Sequence, residues 1–222
     1  MSLLDQLISS LVPHECVGCG MEGGLLCVAC KLRLAAIPER CYRCRKASEG
    51  ALTCSACRKG SSLYSVRVGT AYVSVAKALI WQLKLAGAQV AARDMAIHLA
   101  PLIKHIEPGA VLVPVPTATS RARQRGYDQA KLLARELSRR TKFIYGDYLA
   151  RHGQAHQHTR SRQERLTQIT NAFRVKQQTL VSDAHIILVD DVVTTGATLE
   201  AAATVLRAAG ARRVEAIAFA QP

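Results

Sequence analysis

Two groups of residues in this 222-residue chain have the types and spacing that chemistry requires. The first is a set of four Cys-x-x-Cys pairs: Cys16/Cys19, Cys27/Cys30, Cys41/Cys44 and Cys54/Cys57. The second is the run Ile186-Ile187-Leu188-Val189-Asp190-Asp191-Val192-Val193-Thr194-Thr195-Gly196-Ala197-Thr198, in which an apolar stretch meets two acids and then a small-residue turn.

A Cys-x-x-Cys knuckle lets two sulfurs converge on one ion while neighbouring backbone N–H groups stabilise the thiolates. Two knuckles complete a tetrahedral sulfur shell, which favours zinc, so four knuckles imply two zinc ions. All eight cysteines fall within the first 57 residues and the other 165 have none. A redox role or an iron–sulfur cluster fits four such pairs less well, and a disulfide scaffold is out of place in a reducing cytosol. The spacing allows sequential pairing (Cys16/19 with Cys27/30, Cys41/44 with Cys54/57) or a cross-braced scheme. The short loops within each half favour the sequential one. Closed four-thiolate sites leave no position for substrate, so this segment scaffolds or recognises a partner.

The aspartate–threonine segment reads as strand, loop and helix start. Successive N–H groups of Val192 to Thr198, backed by a helix N-terminus, form an anion cradle. Thr194, Thr195 and Thr198 add hydroxyls, and Gly196 allows close backbone approach. Asp190 and Asp191 are too acidic for a plain phosphate pocket. Binding sugar hydroxyls, directly or through Mg²⁺-bound water, gives them a task.

A second candidate loop follows Val113-Pro114-Val115-Pro116 and carries Arg121, Arg123 and Arg125 ahead of Gly126-Tyr127-Asp128-Gln129. Guanidinium forks match phosphate oxygens, so this loop is expected to clamp pyrophosphate. The formal charge is +14, and +10 of it sits on residues 116–176, a concentration suited to polyanions. A third polar stretch, His156 to Arg165, is expected to be a flap over the ligand; its histidines lack the further ligand a metal needs.

The elements that must position these groups alternate between strand and helix. Strands are expected at Val66–Val73, Val111–Val115, Phe143–Tyr148, Phe173–Val175, Ile186–Asp190 and Val214–Phe219. Helices are expected at Ser74–Leu85 (Ser74 as N-cap, Gly87 as stop), Gln89–His105, Tyr127–Arg140 and Thr198–Ala209. That alternation argues for an α/β fold with a parallel sheet flanked by helices, whose ligands bind beyond the carboxyl ends of the strands. Residues 1–62 form an N-terminal helix, over Met1–Val12, and a cysteine-rich module; residues 63–222 form the larger domain. No apolar run approaches the length of a membrane span, and the N-terminus lacks the basic lead of a secretion signal, so a cytoplasmic protein is expected.

The aspartate–threonine segment resembles the 5-phosphoribosyl-1-pyrophosphate (PRPP) signature of type I phosphoribosyltransferases. That resemblance implies that Asp190 and Asp191, the catalytic positions, face the ribose hydroxyls while Thr194 to Thr198 hold the 5′-phosphate and Mg²⁺ accompanies PRPP. Nearly the whole chain is similar to the ComF family, competence-associated proteins with a double zinc ribbon before a phosphoribosyltransferase domain. The likeness rests on the four cysteine pairs, the Val-Pro-Val-Pro strand end, and Arg125-Gly126-Tyr127-Asp128-Gln129-Ala130, with Asp128 where that family has Asn. Arg162 to Arg165 before Asn171-Ala172-Phe173, and the aspartate–threonine loop, complete it. It implies a cytoplasmic protein assisting DNA uptake in natural transformation, with single-stranded DNA and a competence helicase as partners. Two other functions stay open: a nucleobase-salvage transferase, and an adaptor whose zinc module docks a helicase or uptake channel. No residue stands out as a general base or as a reader of a nucleobase.

Overall fold

The computed structural model describes residues 14–84, 88–151 and 172–222. The helix expected over Met1–Val12, the Gly87 stop and the His156–Arg165 flap lie outside them. Seven strands are described: β1 (Val66–Ala71), β2 (Val111–Pro114), β3 (Ile144–Tyr145), β4 (Leu149–Arg151), β5 (Phe173–Val175), β6 (His185–Val192) and β7 (Arg213–Gln221). Five of them form a parallel sheet in the order β1-β7-β6-β2-β3. The central strands read as near-continuous apolar runs because both faces are covered. Ile187 and Val189 of β6 point into one core with Leu112 and Ile217, and Ile186 and Leu188 into the other with Val113 and Ala216.

Two short helices, α1 (Val28–Leu32) and α2 (Ser55–Arg58), belong to the cysteine-rich segment. Helices α3 (Ser74–Lys84) and α4 (Ala88–Ile103) connect β1 to β2. After β2 come α5 (Thr119–Arg125) and α6 (Gln129–Ser138), and α7 (Ala197–Ala208) joins β6 to β7. Buried residues of α3, α4 and α6 fill the first core, and those of α7 fill the second.

Three expectations need correction. The arginine segment after β2 is the helix α5 and not a loop. Its polar, arginine-rich sequence has no apolar stripe for a periodicity reading to find. Phe173–Val175 is a strand, but it pairs antiparallel with β4, which the sequence reading missed, in a separate two-stranded sheet. Three residues per strand give too little alternation to assign a partner. Finally, β6 runs on to Val192, so both aspartates lie inside the strand.

The chain leaves β2 toward β3 on one side and leaves β6 toward β7 on the other. The carboxyl ends of β2 and β6, which are neighbours, therefore mark the point where the winding reverses, the place where sheets of this kind take their ligands. Among the described residues, no helix is long and apolar enough to cross a membrane.

The cysteine-rich segment packs on this frame through buried side chains. Leu25 joins the first core, while Tyr42 joins the second. The Asp94 carboxylate of α4 accepts from the Leu26 N–H at 3.0 Å. Arg40 donates to the Gln221 side chain at the end of β7 at 3.1 Å.

Candidate functional site

The eight cysteines gather into two groups, Cys16/Cys19/Cys27/Cys30 and Cys41/Cys44/Cys54/Cys57, with all sulfurs of a group within 4.8 Å of one another. Pairing is therefore sequential. Cys19 and Cys27 Sγ are 3.6 Å apart, as are Cys44 and Cys54 Sγ. A tetrahedral zinc with Zn–S near 2.3 Å sets its sulfurs about 3.8 Å apart, so both donor sets fit that ion. The same separations are too long for a disulfide.

The two groups repeat one design. Cys16 and Cys41 each open a knuckle whose carbonyl accepts from the residue four positions on, Gly20 at 2.8 Å and Arg45 at 2.9 Å. Cys27 and Cys54 each precede a short helix, α1 or α2. Burial opposes ionisation of Cys16 and Cys41, yet the surrounding N–H donors (Cys27, Gly18 and Cys19 for Cys16; Cys44, Cys54 and Arg43 for Cys41) bring both down to about 6. Burial and the neighbouring cysteines push Cys30 up to about 12. Hydrogen bonding from Cys54, then burial, does the same for Cys57. Without a cation, four thiolates cannot coexist in such a cage, so metal loading must release protons.

At the carboxyl end of the sheet, β6 supplies the carboxylates. Strand alternation puts Asp190 on the face of Ile186 and Leu188, and Asp191 on that of Ile187 and Val189. Asp191 is buried, and its Oδ2 is 3.0 Å from Nζ of Lys84, the last residue of α3. Tyr127 Oη donates to the Leu83 carbonyl at 2.8 Å, which steadies that helix end. Asp190 accepts from the Asp191 N–H at 2.9 Å. Burial, and then the charge of Asp191, hold its carboxyl well above the usual carboxylate range.

Beyond β6 the chain turns through Thr194, Thr195 and Gly196 into α7. Thr194 and Thr195 are exposed, and Ala197 and Thr198 partly so. Gly196 takes φ 79°, a conformation L-residues avoid. A Cβ there would lie 2.6 Å from Cδ2 of Tyr42. The ring of Tyr42, the second residue of a cysteine knuckle, thus covers the turn from below. Its hydroxyl donates to Glu200 in the first turn of α7, and Ser61 Oγ donates to the same carboxylate at 2.8 Å. Burial and the Glu200 carboxylate raise the Tyr42 phenol well above its ordinary range. Arg45 extends from the same knuckle, and its guanidinium donates to the Thr194 carbonyl at 3.1 Å.

The arginines are arranged differently from the expected clamp. On α5, residues two apart diverge by about 200° around the axis, so Arg123 and Arg125 do not converge. Arg123 is exposed, whereas Arg125 donates to Gln129 Oε1 at 3.0 Å. Arg121 is also on α5, with its side chain outside the described residues. Asp128 caps α6, accepting from the Ala130 and Lys131 N–H groups at 3.0 and 3.2 Å and from the Thr117 N–H at 2.9 Å. A carboxylate suits that all-donor environment.

Lys84, Tyr42, Arg45 and Glu200 were missed from the sequence. Tyr42 and Arg45 sit among cysteines and read as spacers, and their partners are about 150 residues away. No local pattern carries such a contact.

Residues 123–222 match the family model of the phosphoribosyl transferase domain. No curated protein sequence matches the chain. Similar solved structures include an allosteric regulatory enzyme of purine biosynthesis, at 20% identity and TM-score 0.39, covering 57% of this chain and 25% of that one. A hypoxanthine phosphoribosyltransferase from Staphylococcus aureus matches at 12% identity and TM-score 0.35, over 57% of this chain and 61% of its own. One from Trypanosoma cruzi matches at 13% identity and TM-score 0.32, over 59% and 65%. The chain thus spans a quarter of the first of these and under two thirds of the other two. The molecule has an α/β fold with a type I phosphoribosyltransferase-like parallel sheet, preceded by two four-cysteine groups that fit a zinc-ribbon module.

Proposed function

We propose that this chain binds PRPP with Mg²⁺ at the carboxyl end of β6, and that it is a ComF-type protein assisting the handling of incoming DNA. The observation that carries the reading is the continuous passage from Asp190 and Asp191 into the turn bearing the exposed Thr194 and Thr195, beside β2, where the sheet reverses its winding. Carboxylates at such a position suit the hydroxyls of a ribose and the water shell of Mg²⁺, and the turn with α7 behind it suits the 5′-phosphate. If pyrophosphate leaves ribose C1, negative charge grows on the leaving group. Arg121, Arg123 or Arg125 on α5 would be the cation for that charge, Arg125 by giving up Gln129. The two four-cysteine groups hold structural zinc.

The DNA part of the proposal rests on the excess of +10 over residues 116–176. A cytoplasmic location, a competence helicase as partner and contact with single-stranded DNA belong to the same reading. Calorimetry of PRPP with Mg²⁺ on the wild type and on the Asp190→Asn/Asp191→Asn double variant tests the site. Binding by the first and none by the second is expected; equal binding by both rejects the carboxylate assignment. Titration of labelled single strands at two salt concentrations tests the DNA part, which fails if binding is absent or insensitive to salt. Release of pyrophosphate with any member of a nucleobase panel would favour the salvage-enzyme reading instead.

A further inference from the structure

We infer that Arg45, supplied by the second cysteine group, is a positioning residue that orients the Thr194–Thr195 peptide so that it donates to the phosphate of a sugar phosphate. The inference rests on the sugar-phosphate reading above and adds a residue that lies outside the sheet domain altogether.

The first observation is a mismatch between the two knuckles. Gly20 and Arg45 hold the same place, each donating its N–H to the carbonyl of the knuckle's first cysteine, and each has left-handed backbone, with φ 75° and φ 64°. In the first group that place is filled by the residue the conformation favours. In the second it is filled by a long cationic residue for which the conformation is strained. Strain of that kind persists where the surroundings over-determine it, so it directs attention to what the side chain does.

What it does is hold one carbonyl. The guanidinium meets the Thr194 oxygen at 3.1 Å. Across a trans peptide, the carbonyl of one residue and the N–H of the next point in opposite directions. Every peptide bond described here is trans. Anchoring the Thr194 carbonyl toward the cysteine module therefore turns the Thr195 N–H away from it, toward the open side of the turn. A flip of that peptide would replace a donor with a carbonyl oxygen and repel a phosphate. The neighbouring contacts limit the turn in the same sense: Tyr42 fills the space under Gly196, and Glu200 is held by Tyr42, Ser61 and the Ser62 N–H. The second four-cysteine group thus serves as the platform on which the phosphate turn rests. The first group has no such role, since it packs on α3 and α4 through Val17, Leu25 and Asp94.

The test uses the full chain with its metal in place, verified by metal content, and compares wild type, Arg45→Gly and Arg45→Lys. Binding of ribose 5-phosphate and of inorganic pyrophosphate is measured by calorimetry, and amide exchange is followed over residues 193–199. Arg45→Gly restores the residue the backbone favours, so it is expected to keep its metal and melt no lower than wild type. It should lose about tenfold in ribose 5-phosphate affinity, the scale of one charge-assisted hydrogen bond, with pyrophosphate affinity unchanged and faster exchange in the turn. Arg45→Lys should recover part of the loss. The inference is overturned if Arg45→Gly leaves ribose 5-phosphate affinity and turn exchange at wild-type values, or if both ligands weaken equally. Should the wild type take up no ribose 5-phosphate, the sugar-phosphate reading falls, and turn exchange alone then decides whether Arg45 holds the peptide.

Discussion

Lys84 Nζ stands 3.0 Å from Asp191 Oδ2, joining the last turn of α3 to the strand that carries the candidate ribose-binding acids. Asp191 is almost fully buried while Lys84 keeps about a third of its side chain in solvent. Loss of the lysine strands a buried carboxylate, whereas the exposed partner itself gains little from the pair. Lys84→Met should therefore cost about 1–2 kcal/mol in urea unfolding at neutral pH. Unchanged stability would mean that water solvates Asp191 well enough alone.

Asp190 is expected to trade stability for binding. Burial and the charge of Asp191 raise its pKa, so ionising it opposes folding at every pH above the unfolded carboxylate value. Asp190→Asn should melt higher than wild type at neutral pH, with the gain disappearing as acid protonates the wild-type carboxyl in both states. The same substitution should abolish Mg²⁺-dependent PRPP binding. In the wild type that binding should strengthen as pH rises through the raised pKa, because the cation competes with a proton. Thermal melts and calorimetry across pH check both statements.

Glu215 works in the opposite sense. Burial pushes its carboxyl up, but hydrogen bonds from His185, Ser65 and Arg67, and the charge of Arg67, outweigh that and bring it down to about 2. Its stabilisation is complete above the ordinary glutamate value and is lost as pH falls from there to about 2. Glu215→Gln should cost about 3 kcal/mol at pH 7 and flatten the acid-unfolding limb over that interval. A limb unchanged by the substitution would place the acid sensitivity elsewhere.

Removing metal should act on the phosphate turn as well as on the cysteine module. Native mass spectrometry is expected to show two zinc ions per chain. Cys54→Ser/Cys57→Ser should leave one, as should Cys19→Ser/Cys27→Ser, because each group loses half its ligands. The first double variant alone should raise amide exchange over residues 193–199, since only that group touches the turn.

Gly196→Ala meets two obstacles, a backbone at φ 79° and a Cβ 2.6 Å from Tyr42 Cδ2. A loss of about 2 kcal/mol is expected. Adding Tyr42→Ala removes the clash but not the backbone term, so in a double-mutant cycle the two losses should fall short of additive.

By itself the sequence determined whatever is local in the chain. Knuckle spacing marked the eight cysteines from Cys16 to Cys57 that gather into two groups. Apolar runs named β2, β6 and β7, and the passage from Ile186 to Thr198 marked strand, turn and helix, since each of these depends on residues within a few positions of one another. The structure decided how distant pieces meet. It chose sequential pairing of knuckles where spacing permitted two schemes, and it wound the arginines into α5, so that Arg123 and Arg125 diverge. It also separated β4 and β5 from the main sheet, and set Tyr42 and Arg45 beneath Gly196 and Thr194. Contacts across about 150 residues follow from how two cores close over one sheet, and burial of that kind leaves no period or spacing in either segment to read.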